Sequence, residues 1–486
     1  MNRVVVLLLT LAFVAPSSAA AFCGFYVAPG DAKLVNKATR VALMRHGTTT
    51  VMSLQPDYEG PAEGFALVIP VPQVLKKDDV KTLDHSLFNT LDEFTSPRMS
   101  EYWEQDPCHP TRFYNFDDML IDGEIQKKSQ TAPQKPATPF VKIEAKFEVA
   151  EYDIVVLSSN DGASLETWLT DRKYKIPKGA APYLAPYINS GMYFFVAKVD
   201  PKRAKFEGKR AILSPLRFHY TSQDFTLPIR LGMINAEGEQ DIVVFVLGEE
   251  RFVPANYPHA PIPTNIVVKD KVRKNFAGFY EGLFAKTRKE NEGAIITEYV
   301  WELATIQSKT EIVQGNTCDP CTTSVSYFAP EWLVSLGLDV FGVVLSAESK
   351  VAQPLTAGTP KKLVVTRLHG RFKPDLKSPD IVFQKASPLF GGMGMPDAKG
   401  GLEPTVHRDA VNMFQARYIL LNKWKGKTLC KAPSYGHWGL PPNPKAPVQG
   451  NGGSFGKKTE AFAPEDYVKG AINYSPPKKR FPVRPE

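Results

Sequence analysis

Cys318 and Cys321, separated by Asp319 and Pro320, form the sharpest chemical motif in the chain. A pair at this spacing can act as a redox dithiol if a helix N-terminus, following a strand, stabilises one thiolate. The preceding residues 311–317, EIVQGNT, are a polar loop rather than such a strand. The pair therefore predicts a short structural disulfide. A zinc site from Cys318, Cys321, Cys430 and His437 would need a second pair with six residues between its members, a wider spacing than structural zinc sites usually use. No metal and no cofactor is expected. The five cysteines are an odd number, so at least one lacks an intramolecular partner. Cys108 and Cys430, near Trp103 and Trp424, are the expected second disulfide, and Cys23 is left as the free thiol.

Other motifs fail in their surroundings. Gly452-Gly453-Ser454-Phe455-Gly456 has the spacing of a hydrolase nucleophile elbow, which needs a strand before the serine and a histidine after it. Here a proline-rich stretch precedes it, and His437 is the last of the eight histidines. A phosphate-binding loop would need glycine at Asn451 and Ser or Thr at Lys458. Asp117, Asp118, Asp122 and Glu124 lack the alternating spacing of a calcium loop. No catalytic residue is assigned. The remaining constellation is cationic. On a strand, Arg367, His369 and Arg371 share one face, with Leu368 and Phe372 on the other, and Arg217 and His219 form a similar pair. Guanidinium groups beside an imidazole suit a carboxylate or phosphate, so these five residues are the candidate anion-binding set. The alternative is a strand face bearing local ion pairs.

The elements that would carry these residues are mostly strands. Arg40 to Arg45 and Thr48 to Leu54 flank His46-Gly47 as a hairpin. Phe65 to Val71 is a buried strand whose Pro70 and Pro72 place it at an edge or a strand end. Leu83, Leu87, Leu91 and Phe94 recur at helical spacing, and Ser96-Pro97 predicts a second short helix through Trp103. Residues 105–139 are polar and without period, which predicts a disordered linker or loop. Alternation resumes over Val141 to Val149, a half-exposed antiparallel strand. Further strands are expected near 152–157, 193–199, 216–220, 225–231, 241–247, 295–303 and 363–372, and helices near 164–174 and 276–288. The class is α+β, strand-rich, with mostly antiparallel sheets and a few peripheral helices. Residues 22–104 and 140–395 make up the core. Residues 396–486 read as a Pro/Gly-rich C-terminal extension with an ordered island at 414–438.

The chain opens with Arg3, an apolar run from Val4 to Val14, then Pro16 and small residues to Ala21, which predicts a cleavable signal peptide over 1–21. Phe22 before Cys23 argues against a lipid anchor. No later stretch is long and apolar enough to span a membrane. At 486 residues, 43% hydrophobic and 23% charged, the chain can bury a sizeable core. Its net charge of +8 is spread out, without the basic stripe of a nucleic-acid binder.

Several segments together resemble a bacterial exported family known as domain of unknown function 2330. They are Cys23-Gly24-Phe25, residues 58–72, 165–177, 214–231 and 366–372, and the resemblance spans roughly 22–395. It implies export and one family for the core, and brings no activity or catalytic residue. The reading that results is a secreted or periplasmic bacterial protein of unknown function. Its leading role is non-enzymatic binding or scaffolding in the envelope or outside the cell, the partner being an anionic envelope component or another exported protein. The alternative is a hydrolase of an envelope polymer with a site assembled from distant residues.

Overall fold

A computed structural model describes residues 25–27, 39–55, 66–109, 141–172, 179–207, 210–233, 238–306, 312–314, 330–345, 352–354, 360–373, 378–439 and 463–469. Cys23, Cys318, Cys321, the 110–139 part of the expected linker and the 452–456 motif lie outside these residues. The architecture is strand-rich α+β, with mostly antiparallel sheets and few helices.

A twelve-stranded sheet forms the frame. Its middle runs, in spatial order, Ile295–Ile306, Lys362–Phe372, Gln240–Gly248, Thr39–His46, Thr49–Gln55 and Leu216–Thr221. Gln240–Gly248 pairs parallel with Thr39–His46, while the other neighbours in this run are antiparallel. The expected hairpin is present, with His46 opposite Thr49. Its turn uses Gly47 at φ +54°, a left-handed conformation that costs glycine little. The strand Gln240–Gly248 is almost continuously buried because the sheet is covered on both faces, which explains its unbroken apolar run.

A second sheet orders Phe25–Val27, Ala66–Val71, Tyr193–Val199, Tyr152–Ser158 and Lys142–Val149. Pro70 pairs with Phe194 on one side, and on the other the short strand Phe25–Val27 reaches only Ala66 to Val68. The proline therefore sits at the strand end, where its missing N–H is not needed. Lys142–Val149 is the alternating edge strand.

Helix His85–Thr95 buries Leu87, Phe88, Leu91 and Phe94, and Asp84 caps it by accepting from Ser86 N at 2.8 Å. The second helix expected through Trp103 is instead the strand Arg98–Glu104. It pairs parallel with Arg417–Asn422 and antiparallel with Trp438–Gly439. Long-range pairing has overridden the local Ser-Pro signal, and the aromatic Tyr102 and Trp103 suit a strand equally well. The C-terminal island is thus built into the core. Met413–Gln415 also pairs with Ile295–Ile306 in the large sheet.

Helix Phe276–Glu290 is capped by Asn275, whose side chain accepts from Gly278 N at 3.1 Å. A Cβ on Gly278 would come within 2.7 Å of the Asn275 side chain, so glycine there leaves room for the cap. Asn275→Ala is expected to lower stability by about 1 kcal/mol. Urea unfolding would show it, and a change near zero would mean the cap is not used. Among the described residues no helix is long and apolar enough to cross a membrane.

Candidate functional site

The strand Lys362–Phe372 alternates as its sequence requires. Leu368 and Phe372 enter the hydrophobic core on one face, while Arg367, His369 and Arg371 occupy the other. That second face is not open to solvent. Arg367 and His369 are fully buried, and carboxylates from neighbouring elements lie between the cations.

Glu298 is the first of these. The pairing of Ile295–Ile306 with Lys362–Phe372 runs from Thr297 opposite Leu368 directly to Tyr299 opposite Arg367. Glu298 is therefore the extra residue of a β-bulge, a distortion that re-aims a side chain. Its carboxylate receives Arg367 Nε at 2.6 Å, His369 Nδ1 at 2.8 Å and the Tyr280 hydroxyl at 2.5 Å. Asp92, on the helix His85–Thr95, receives Arg367 Nη1 at 2.6 Å, and Thr95 Oγ1 lies 3.2 Å from the same nitrogen. Asp241 lies opposite Arg371 in the sheet and binds it through two bonds of 2.7 and 2.8 Å. The same carboxylate stands 3.4 Å from His369 Nε2. Glu281 completes the row with Arg371 Nη1 at 2.6 Å.

Helix Phe276–Glu290 closes this face with a stripe at i, i+4 and i+8. Tyr280 reaches Glu298. Phe284 stacks on the His369 ring at 4.0 Å between centroids, and Arg288 donates to the Arg371 carbonyl at 2.6 Å.

The electrostatics follow from this alternation. Burial disfavours the His369 imidazolium, but Glu298 and Asp241 outweigh it and raise its pKa to about 9. Burial likewise disfavours the Glu298 anion, and His369, Arg367 and Tyr280 outweigh that, lowering it to about 2. Asp241 is held well below the usual carboxylate range, against its burial, by His369 and Arg371. His369, Glu298 and Asp241 are thus charged at neutral pH, each against an opposite charge within the network.

Arg217 and His219 lie on Leu216–Thr221, four strand steps from Lys362–Phe372, or roughly 19 Å at the usual strand spacing. The structure does not bring them to the same place. Arg217 donates to the Ser335 carbonyl at 2.7 Å and to Asp339 at 2.8 Å, and His219 stands 3.3 Å from Asp79. The five basic residues proposed for an external anion therefore face internal partners. An open groove near Lys77, Asp78, Lys81 and Glu148 carries balanced charge.

Cys108 and Cys430 form a disulfide, as their surroundings predicted. Backbone bonds from Gln105 N to His437 O and from Ser434 N to Pro107 O lay the C-terminal segment along the bridge. Glu104 accepts from Gly436 N and Trp424 N.

Fold and site define a strand-rich α+β protein in which a sealed ionic row replaces an open charged face. Residues 17–383 match the family model DUF2330, uncharacterized protein conserved in bacteria, and the chain belongs to that family. The match ends within the strand Ile381–Ala386, although the later strands Met413–Gln415 and Arg417–Asn422 pair with Ile295–Ile306 and Arg98–Glu104, which lie inside it. No curated protein and no solved structure matches the chain.

Proposed function

We propose that this protein is exported and acts outside the reducing cytosol as a binding or scaffolding protein of the bacterial envelope or its surroundings. The observation that carries this reading is the Cys108–Cys430 disulfide, which joins residues 322 apart. Such bridges form and persist in oxidising compartments. The leader-like residues 1–21 support it independently. The binding role draws support from the frame. The strongly charged side chains of the large sheet hold one another, which makes a rigid support for a surface that engages a partner. That partner is an anionic envelope component or another exported protein.

Cell fractionation with non-reducing peptide mapping tests this. The expected result is a chain lacking residues 1–21, found in the periplasm or the medium, with the Cys108 and Cys430 peptides linked. A cytosolic chain that retains its leader and carries both thiols free would overturn it.

A further inference from the structure

The buried arginines described above, Arg217 and Arg367, meet carboxylates. Arg251 does not. It opens the strand Arg251–Pro254, is 4% exposed and donates through Nη1 to the Ser387 carbonyl at 2.8 Å. Its Nε is buried and meets no hydrogen-bond acceptor among the described residues. Nearby carboxylates are engaged elsewhere. Glu250 pairs with Lys385, and Asp409 stands 3.3 Å from His407.

Two further basic side chains converge on Arg251. The strand Arg251–Pro254 pairs with Ile381–Ala386, placing Arg251 opposite Ala386. Three residues on, Leu389 pairs with Arg408, which brings a second, exposed guanidinium to this corner. His259, half-buried at the start of the strand His259–Pro261, adds a ring whose Nδ1 is also buried without a partner among the described residues. Burial and Arg408 lower Arg251 to about 10, and burial, Arg251 and Arg408 lower His259 to about 4. No carboxylate offsets either group, in contrast to the matched row on Lys362–Phe372. A buried cation without a counterion is costly, and the cost is removed by bringing an anion to it.

We propose that Arg251, His259 and Arg408 form an oxyanion site that takes a phosphate group, free or as a monoester. With Nη1 committed to Ser387, the guanidinium keeps its Nε–Nη2 edge, the edge that grips two oxygens of one anion. The neutral His259 in its Nδ1–H form supplies a third donor. Arg408 at the rim supplies a second positive charge, which fits a dianion better than a single carboxylate. The site deepens the binding role proposed above and rests on it only for where the ligand comes from. A titration in vitro tests the site, whereas fractionation tests export.

The full chain, titrated with inorganic phosphate and with glycerol phosphate in phosphate-free buffer of low ionic strength, provides the test by thermal unfolding and calorimetry. The unfolding temperature should rise with ligand concentration. Arg251→Gln should weaken affinity by roughly 30-fold or more, since it truncates a buried partner of the anion. Without phosphate, the same variant should be at least as stable as the parent, because an unmatched charge has been removed. A purely structural Arg251 would give the opposite, a loss of stability that phosphate does not influence. Arg408→Gln, at the exposed rim, should fold normally and bind several-fold more weakly. If Arg251→Gln does not fold, parental affinity in Arg408→Gln overturns the site. A parent that gains no stability from either compound also overturns it. Binding of inorganic phosphate alone assigns the free ion, and equal or tighter binding of the ester assigns a phosphorylated envelope component.

Discussion

Glu298→Gln is expected to destabilise the protein by roughly 3–5 kcal/mol, the usual cost of breaking a buried ion pair from one side. The substitution keeps the size of the side chain and removes its charge. Arg367 then retains Asp92 and His369 retains Asp241, but the bulge residue that joins them no longer balances either. Urea unfolding measures the loss, and a change below about 0.5 kcal/mol, the size of an ordinary surface substitution, would mean that the row is not a stabilising unit. The same network sets a pH profile. His369 is raised to about 9 in the folded chain, against an ordinary histidine value of about 6.5. Its contribution is complete below about 6.5 and is lost as pH rises through about 9. Glu298, lowered to about 2, contributes fully above its ordinary value of about 4.3 and loses that contribution as pH falls through about 2. Stability from this pair should therefore peak between about 4.3 and 6.5. His369→Gln should flatten the alkaline limb while lowering the plateau. An alkaline limb unchanged in that variant would place its origin in another group.

Cys430→Ser should have an effect of similar size. In the chain-entropy account a cross-link over so long a loop contributes about 6 kcal/mol at most, and measured losses generally fall between 2 and 5 kcal/mol. The bridge also holds a segment with little core of its own. Leu429 is 86% exposed, and the nearby anchors are backbone bonds to Gln105 and Pro107, the Glu104 carboxylate, and Trp438 packed against Tyr102 and Ile419. Hydrogen exchange should accelerate first over residues 424–437, and the denaturation midpoint should fall. Reductant should lower the midpoint of the parent by clearly more than that of the variant, which keeps only the expected short Cys318–Cys321 pair to lose. A parent insensitive to reductant, with its cysteines shown to be reduced, would contradict the stabilising role.

The parts of the fold legible in the sequence are those where one period dominates. The hairpin around Gly47, the helix carrying Leu87 and Leu91, and the strand from Lys362 all follow from spacing alone. Arg98–Glu104 was not legible, because Ser96-Pro97 signals a helix start locally while the pairing that decides the matter comes from residues 417–422. The candidate site divides in the same way. Alternation placed Arg367, His369 and Arg371 on one face, but not the carboxylates that meet them. Their signal was a charge within an apolar run: Asp241 before Ile242 to Leu247, Glu298 inside Ile295 to Val300, and Asp92 between Leu91 and Phe94. A buried acid in such a run needs a cation, and the cationic strand was the obvious source. Arg251 carries no comparable signal, since nothing in its neighbours reveals that its carboxylates are used elsewhere.

The covalent link between Cys108 and Cys430 constrains the order in which the chain can mature. At 5–20 residues per second, the 322 residues separating them take roughly 16 to 65 s to synthesise. Throughout that interval Cys108 is without its partner, and Cys318 and Cys321 are made before Cys430. The large sheet waits as well, because Thr39–His46 needs Gln240–Gly248 beside it, and that strand in turn needs Lys362–Phe372. Wrong pairings of Cys108 with the earlier thiols are therefore available before the right one exists. Where such a mispair forms, thiol–disulfide exchange after the C-terminal segment has arrived resolves it, with the completed sheets selecting the final bridge.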